Sequence, residues 1–226
     1  MELNNTKATF IHDSQIASAG MLLVEAFFAD PLNQYVFPDP GERRRVLSWY
    51  FAASVQEGAL LNAVYSTAEP IKGVAVWTPP GFHERTPERA KQSGLDQMQR
   101  QFGPQAYQRF TSVINHLALF SSQAIPPAHW YLSLIGVSPS CQGQGIGGAL
   151  LAPVLQQADN EGTFCSLETF EEKNLSFYQH HGFQVVVTAI EPHSQLRFWA
   201  MRRSPRTCFH HGFQDVSHAE SSLGVI

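Results

Sequence analysis

Residues 142–148 read Gln-Gly-Gln-Gly-Ile-Gly-Gly, and they stand between a strand-like run at 128–137 and a helix-like run at 147–162. In the second run Leu150, Leu151, Val154, Leu155 and Ala158 recur at the three- and four-residue spacing of one buried helical face. Pro153 falls inside it and predicts a kink, because proline removes a helical hydrogen bond. Successive backbone N–H groups at the start of a helix, free of side chains, form an anion site. Glycine also permits positive φ and lets a phosphate come close. The loop therefore reads as a phosphate or pyrophosphate cradle. A glycine-rich turn that only allows tight packing is the competing reading.

Around this loop the chain alternates between the two periodicities. Strands are expected at 8–11, 60–66, 71–77, 164–169, 183–190 and 196–201. Ser14 is placed to cap a helix through Phe28, ended by the Asp30-Pro31 pair. Residues 33–40 read as a loop with exposed aromatics. A second helix starts near Glu42 and carries Val46, Leu47, Tyr50 and Phe51 on one side. Residues 85–122 are helix-compatible in two or three pieces, and 174–181 form a short helix ended by Gly182. Such an order predicts an α/β or α+β domain around one mixed sheet. It occupies residues 1–203, followed by a polar, histidine-containing tail at 204–226. In the tail, residues 210–214 repeat the pentapeptide of 180–184, too briefly for a structural repeat.

With 43% hydrophobic and 15% charged residues the composition is globular. A net charge of −4 gives no electrostatic footprint for nucleic acid or an anionic membrane. Arg43 to Arg45 and Arg202-Arg203 read as solvated element ends. The N-terminus is polar, with no apolar core of a signal peptide, and no apolar run approaches a membrane span of roughly 20 residues. Cys141, Cys165 and Cys208 suggest neither a disulfide framework nor a zinc site, and the expected setting is a reducing cytoplasm. Cys208, His210, His211 and His218 match no closed ligand set, so no metal is expected.

Gly143, Gly145 and Gly148 also satisfy G-x-G-x-x-G, with Glu168 about where a ribose-binding acid would stand. In a dinucleotide fold, however, the first glycine follows its strand almost at once, whereas Ser138 to Gln142 intervene here. Too few βαβ units remain after Glu168. The other pattern is R/Q-x-x-G-x-G/A, matched by Gln142, Gly145 and Gly147. Residues 129–183 also carry a strand, a Val-x-Pro exit, the glycine loop, a helix, a further strand, an Asn, a Tyr and a closing Gly-Phe. In this the chain resembles the GNAT superfamily of acyltransferases.

That resemblance implies a single, mostly antiparallel sheet of six to seven strands, splayed at a V-shaped cleft, with helices on both faces. It implies acetyl-CoA as co-substrate. Gly136 suits the irregular strand end that opens the cleft. Backbone groups of Ile135 and Val137 would pair with the pantetheine amides. Gln142, Gly143, Gly145, Ile146, Gly147 and Gly148 would offer main-chain donors to the pyrophosphate. Asn174 matches an Asn that touches the coenzyme, and it is equally suited to cap the short helix. Tyr178, one helical turn on, would lie near the thioester sulfur and protonate the departing thiolate. Phe177 is the expected packing residue of that helix. A phenol of pKa about 10 is protonated at neutral pH, as an acid must be.

The reaction implied is direct attack of a neutral amine on the thioester, with a backbone N–H near Val137 as the oxyanion contact. Glu168 is the leading candidate for the base, with Glu171 and His129 as alternatives; a solvent-exposed strand-end carboxylate is the competing reading of Glu168. The acceptor is expected to be a small-molecule amine, as for puromycin-acetyltransferase-like members, and less so a protein amine. Phe28, Tyr35, Phe37 and Trp77 are candidates to line its pocket. A homodimer is allowed. A catalytically silent acyl-CoA sensor would carry the same cradle.

Overall fold

The computed structural model describes residues 7–206 of the 226. The tail with Cys208 and its histidines, and the 210–214 echo, lie outside the described residues. Helices α1 (Ile16–Phe27), α2 (Pro31–Val36) and α3 (Pro40–Leu60) follow the short strand β1 (Thr9–Phe10). Strands β2 (Val64–Ser66) and β3 (Gly73–Thr78) come next, then α4 (Pro87–Ser93), α5 (Met98–Phe102) and α6 (Pro104–Ser121). The second half runs β4 (His129–Val137), α7 (Ile146–Glu161), β5 (Phe164–Thr169), α8 (Leu175–His180), β6 (Gln184–Ile190) and β7 (Arg197–Arg203).

Helix starts follow proline. In α2, α3, α4 and α6 a proline occupies the first turn, where its missing N–H costs nothing. Asp30, Asp39 and Thr86 close three of these by accepting hydrogen bonds from the first-turn amides. That chemistry explains α2, where the sequence had suggested a loop. The Asp30-Pro31 pair is a start signal as much as a stop, and the Asp30 carboxylate takes the Leu32 amide at 2.9 Å. Nor does Ser14 cap α1. It sits inside a 3-10 turn, Asp13–Gln15, closed by the His12 amide donating to Gln15 Oε1 at 3.0 Å. Helix α7 continues through Pro153 to Gly162, whose left-handed φ of +65° ends it.

Among the described residues seven strands form one sheet in the order β1-β2-β3-β4-β5-β7-β6, antiparallel except for β4 with β5. One face packs against α7 and α8 through Ala75, Trp77, Leu132, Leu150, Leu151, Val154 and Leu167. The other packs against α1 and α3 through Leu22, Leu23, Val46, Leu47, Phe51, Val74 and Val76. A smaller cluster of Val113, Leu117 and Phe198 seats α6 on the β6–β7 end. The expected class, an open and mostly antiparallel sheet with helices on both faces, is the one observed.

Two basic groups read as solvated are not. Arg43 is buried and donates to the carbonyls of Phe37, Phe28 and Pro38, which end the preceding helices. Arg203 is buried and grips Asp159 with two bonds of 2.7 Å, tying β7 to α7. Among the described residues no helix is long and apolar enough to cross a membrane.

Candidate active site

Strands β4 and β5 pair at His129–Phe164, Trp130–Cys165 and Tyr131–Ser166, and no further. Beyond Tyr131, β4 stays with β3 as far as Val137, while β5 stays with β7 as far as Thr169. The sheet therefore forks at its centre. On β4 the register skips Ser133, since Leu132 faces Trp77 but Leu134 faces Val76. An extra residue of this kind bends and twists its strand. The Ser133 hydroxyl lies 3.1 Å from that of Thr78 and holds the bulge in place. The irregularity is thus at Ser133 and not at Gly136, which pairs regularly with Val74. Gly136 serves another purpose: a Cβ there would meet Leu23 at 2.9 Å and Ala26 at 3.1 Å, so its absence lets α1 settle on β4.

Main-chain direction along β4 follows from two bonds. The Thr67 amide donates to Gly73 O, and the Ser138 amide donates to Lys72 O. Gly73 therefore faces β2, while Lys72 and Val74 face β4. Alternation then pairs the backbone of Gly136 with β3 and turns the N–H and C=O groups of Ile135 and Val137 into the fork. The Val137 carbonyl there receives the Gln142 side-chain amide at 3.3 Å.

The glycines at the head of α7 divide into two kinds. Gly143 and Gly145 have φ of +75° and +79°, and a Cβ on either would meet nothing within 4 Å. These two shape an open loop that only glycine adopts without strain. Gly147 and Gly148 have ordinary helical conformations, but a Cβ would meet the Phe177 ring and the His181 ring, each at 2.9 Å. They let α8 pack closely on the first turn of α7. The first-turn amides of Ile146, Gly147 and Gly148 precede any intrahelical acceptor and are left for an external one. A single parallel strand pair rules out the doubly wound sheet of a dinucleotide fold.

On the α7 side of the fork, Tyr178 is buried beside Phe183, with ring centres 6.1 Å apart. Its phenol is pushed well above the ordinary value by burial, with the Asp30 carboxylate adding to the shift. Phe177, expected to pin α8 to the sheet, lies instead over Gly147, and Tyr178 takes the core position. Asn174 precedes α8, but its side chain makes no capping bond, so the capping role is not the one it plays.

Glu168 occupies the opposite face. Cys165 and Leu167 point into the α7-side core, and alternation along β5 sends Ser166 and Glu168 the other way, beside Tyr131. Glu168 is half-buried and accepts a 2.6 Å bond from the Ser121 hydroxyl at the end of α6. Burial raises its carboxyl above the ordinary range, although Ser121 and Tyr131 oppose the shift. Tyr131 is itself driven far upward by burial and by the Glu168 charge. Tyr178 and Glu168 thus lie on opposite faces of the sheet.

The alternatives to Glu168 have other surroundings, Glu171 being close enough to Asp30 to raise its carboxyl. Glu171 pairs with Lys173 at 3.3 Å. His129 lies at the closed end of the fork, its ring 4.2 Å from that of His83 and its Nδ1 2.6 Å from Pro126 O. Burial and His83 hold it below the ordinary histidine value. Of the aromatics expected around an acceptor, Phe37 and Trp77 are wholly buried in the core, and Phe28 lies beneath the guanidinium groups of Arg43 and Arg44. Tyr35 is half-buried.

Sequence reasoning missed Tyr131, Ser121 and Asp30. Asp30 is half-buried, and its carboxyl is raised to about 6 by burial, against the pull of the Asn33 and Leu32 amides. Tyr131 was reachable, since alternation along β4 opposes it to the core-facing Trp130 and Leu132. Ser121 had no local signal, because 47 residues separate it from Glu168.

Residues 112–185 match the model of the acetyltransferase (GNAT) domain. The uncharacterized N-acetyltransferase C550.08 of Schizosaccharomyces pombe is 25% identical over 197 residues, covering 84% of this chain and 79% of that one. A solved structure from Corynebacterium glutamicum, named histone acetyltransferase HPA2 and related acetyltransferase, superposes with a TM-score of 0.62 at 20% identity, covering 89% of this chain and 97% of that one. The polyamine N-acetyltransferase of Drosophila melanogaster superposes at 0.60 with 12% identity, covering 88% of this chain and 100% of that one. At such identities the two structures establish the fold alone.

Proposed function

We propose, from the premise that this chain belongs to the GNAT superfamily and is an acyltransferase, that it moves an acetyl group from acetyl-CoA to the primary amine of a small molecule. One observation carries the reading. The fork between β4 and β5 leaves the Ile135 and Val137 backbones without a strand partner beside an open glycine loop at a helix start, the Val137 carbonyl taking only the Gln142 side chain. An extended chain of amides fits along such a strand edge as an added strand, and a pyrophosphate fits against the helix start.

The residues present suit that donor. Gln142, Gly143 and Gly145 line the exposed loop, and the amides of Ile146, Gly147 and Gly148 follow it. The helix dipole contributes roughly 0.3–1 kcal/mol toward an anion there, so several oriented amides supply more of the affinity than the dipole does. When bound, acetyl-CoA supplies an activated thioester. Tyr178, kept protonated by its buried setting, donates its phenolic proton to the departing sulfur. Glu168 accepts, directly or through water, the proton that the amine nitrogen loses as it bonds to the acetyl carbon. Its raised carboxyl is a stronger base than a free glutamate, and Ser121 and Tyr131 keep it in place. Solvent then takes that proton from Glu168 and returns one to Tyr178, and an amine that arrives as a cation first gives its extra proton to solvent. The backbone N–H near Val137 faces the fork, where an oxyanion contact is needed. Asn174, with its side chain free of capping, remains available to the coenzyme.

The acceptor enters from the Glu168 side. The half-buried Glu168 carboxylate suits a compact cationic amine. The Drosophila neighbour, named as an enzyme that forms N-acetylagmatine, puts agmatine and polyamines in the first test panel.

Calorimetric titration tests the donor. Wild type should bind acetyl-CoA and CoA in the micromolar range and leave NAD+ unbound. Gly143→Asp keeps a residue tolerated at positive φ but sets a carboxylate in the cradle, and should weaken acetyl-CoA binding at least tenfold. Comparable binding of NAD+, or unchanged binding by that variant, would place the donor elsewhere.

A further inference from the structure

A second group of titratable side chains lies away from the fork, where α6 meets the β6–β7 turn. His116 of α6, together with Glu191 and His193 of the turn, brings one ligand atom each to within 4.8 Å of the others. Glu191 is wholly buried. Its Oε2 accepts the amides of His193 and Ser194 at 3.1 and 2.6 Å. Its Oε1 is buried without a hydrogen-bond donor, although His116 Nδ1 stands 3.2 Å away. A buried carboxylate oxygen left in that state is costly unless a cation completes it.

We propose that His116, Glu191 and His193 form a binding site for a divalent first-row transition metal such as Zn2+. Two imidazoles and one carboxylate are the donor set that borderline cations select, and Mg2+ and Ca2+ prefer all-oxygen shells. Ligands sit about 2.0–2.2 Å from zinc, so two of them span at most roughly 4.4 Å. His193 is exposed, so its ring can turn as the set closes on an ion. The parts that need to be rigid already are. His116 Nδ1 donates to the Ser112 carbonyl at 2.9 Å, which orients the ring and leaves Nε2 as its ligand nitrogen. The turn itself is fixed by Glu191 N to Leu196 O at 2.8 Å and Gln195 N to Glu191 O at 2.9 Å. Three protein ligands leave a fourth position for water. An ion held here clamps α6 to the β6–β7 hairpin beyond the small Val113, Leu117 and Phe198 cluster. Helix α6 is also the one that presents Ser121 to Glu168.

The competing explanation is an ion pair between protonated His116 and Glu191. Metal titration of the full chain, freed of metal with a chelator, separates the two. Zn2+ is followed by calorimetry and thermal melting, and Co2+ by visible absorption, in wild type, His193→Ala and Glu191→Gln. His193→Ala removes an exposed side chain and should leave the metal-free melting temperature unchanged. Wild type should bind one more Zn2+ equivalent than His193→Ala and Glu191→Gln. At free zinc 100-fold above Kd, its unfolding equilibrium constant should fall about 100-fold, and the chelator should reverse this. The Co2+ form should show d–d bands without thiolate charge transfer, which a site in the tail using Cys208 would display. Equal stoichiometry and affinity in wild type and His193→Ala, or no binding by wild type, would overturn the proposal.

Discussion

In the proposed reaction Tyr178 and Glu168 divide the proton chemistry by their surroundings. Both are raised by burial, and the sign of that shift suits each to a different task. A phenol raised above its ordinary value stays a proton donor across the working pH. Tyr178→Phe should therefore lower kcat about 100-fold and leave acetyl-CoA affinity within about twofold. Steady-state kinetics with calorimetry checks this, and an unchanged kcat would reduce Tyr178 to a core aromatic. A raised carboxyl becomes a base only above its elevated pKa. The acid limb of kcat/KM should thus lie above the ordinary carboxylate range, and Glu168→Gln should abolish it together with most turnover. Asp30 shows the converse effect on stability. Folded Asp30 holds its proton up to about 6 against an ordinary 3.8, so the fold loses stability as pH rises through that window. Asp30→Asn keeps a capping side chain and should flatten that loss, visible as a higher melting temperature than wild type at pH 7.5 but not at pH 3.5.

Within single elements, the glycines at the head of α7 separate conformation from packing. Gly147→Ala drives a methyl into the Phe177 ring, a steric cost of about 1–3 kcal/mol, and Phe177→Leu in the same chain should recover part of it. Gly145→Ala meets no atom but holds alanine at φ +79°, costing about 1–2 kcal/mol that Phe177→Leu leaves untouched. Chemical denaturation of the four variants distinguishes the two cases. The open glycine loop, the helix behind it and the class of the sheet were legible because local spacing carries them. Ser133 as a bulge was not, since nothing in a run of alternating apolar residues marks which one is skipped. Helix α2 was misread because Asp30-Pro31 is at once an end and a beginning. Phe37 and Trp77 looked like pocket residues from their type, but which aromatics face a cleft is settled by packing between distant elements. The Ser121–Glu168 bond is of that long-range kind too.

At the scale of the whole molecule, one ion pair, between buried Arg203 and half-buried Asp159, ties the sheet to its central helix. Arg203 holds Asp159 in a two-pronged grip, and the Arg206 amide reaches the same carboxylate at 2.7 Å. Burial works against the Asp159 charge, but these donors outweigh it and keep its carboxyl below the ordinary range. Stability from this pair is present above the ordinary carboxylate pKa and is lost as pH falls through the lowered one. Asp159→Asn should cost about 3 kcal/mol at neutral pH by leaving Arg203 buried and unpaired, and its acid-unfolding curve should be shallower than that of wild type. The same architecture leaves the fork open at its centre, with the proposed proton donor, Tyr178, on one face of the sheet and the proposed base, Glu168, on the other. Acceptor-dependent release of free thiol from acetyl-CoA, measured across a panel of small primary amines, tests that arrangement most directly. At least one amine should give thiol and acetylated product in equal amounts, at a rate about 100-fold lower in Tyr178→Phe. Tight acetyl-CoA binding with no thiol release from any amine, in wild type and variant alike, would contradict it.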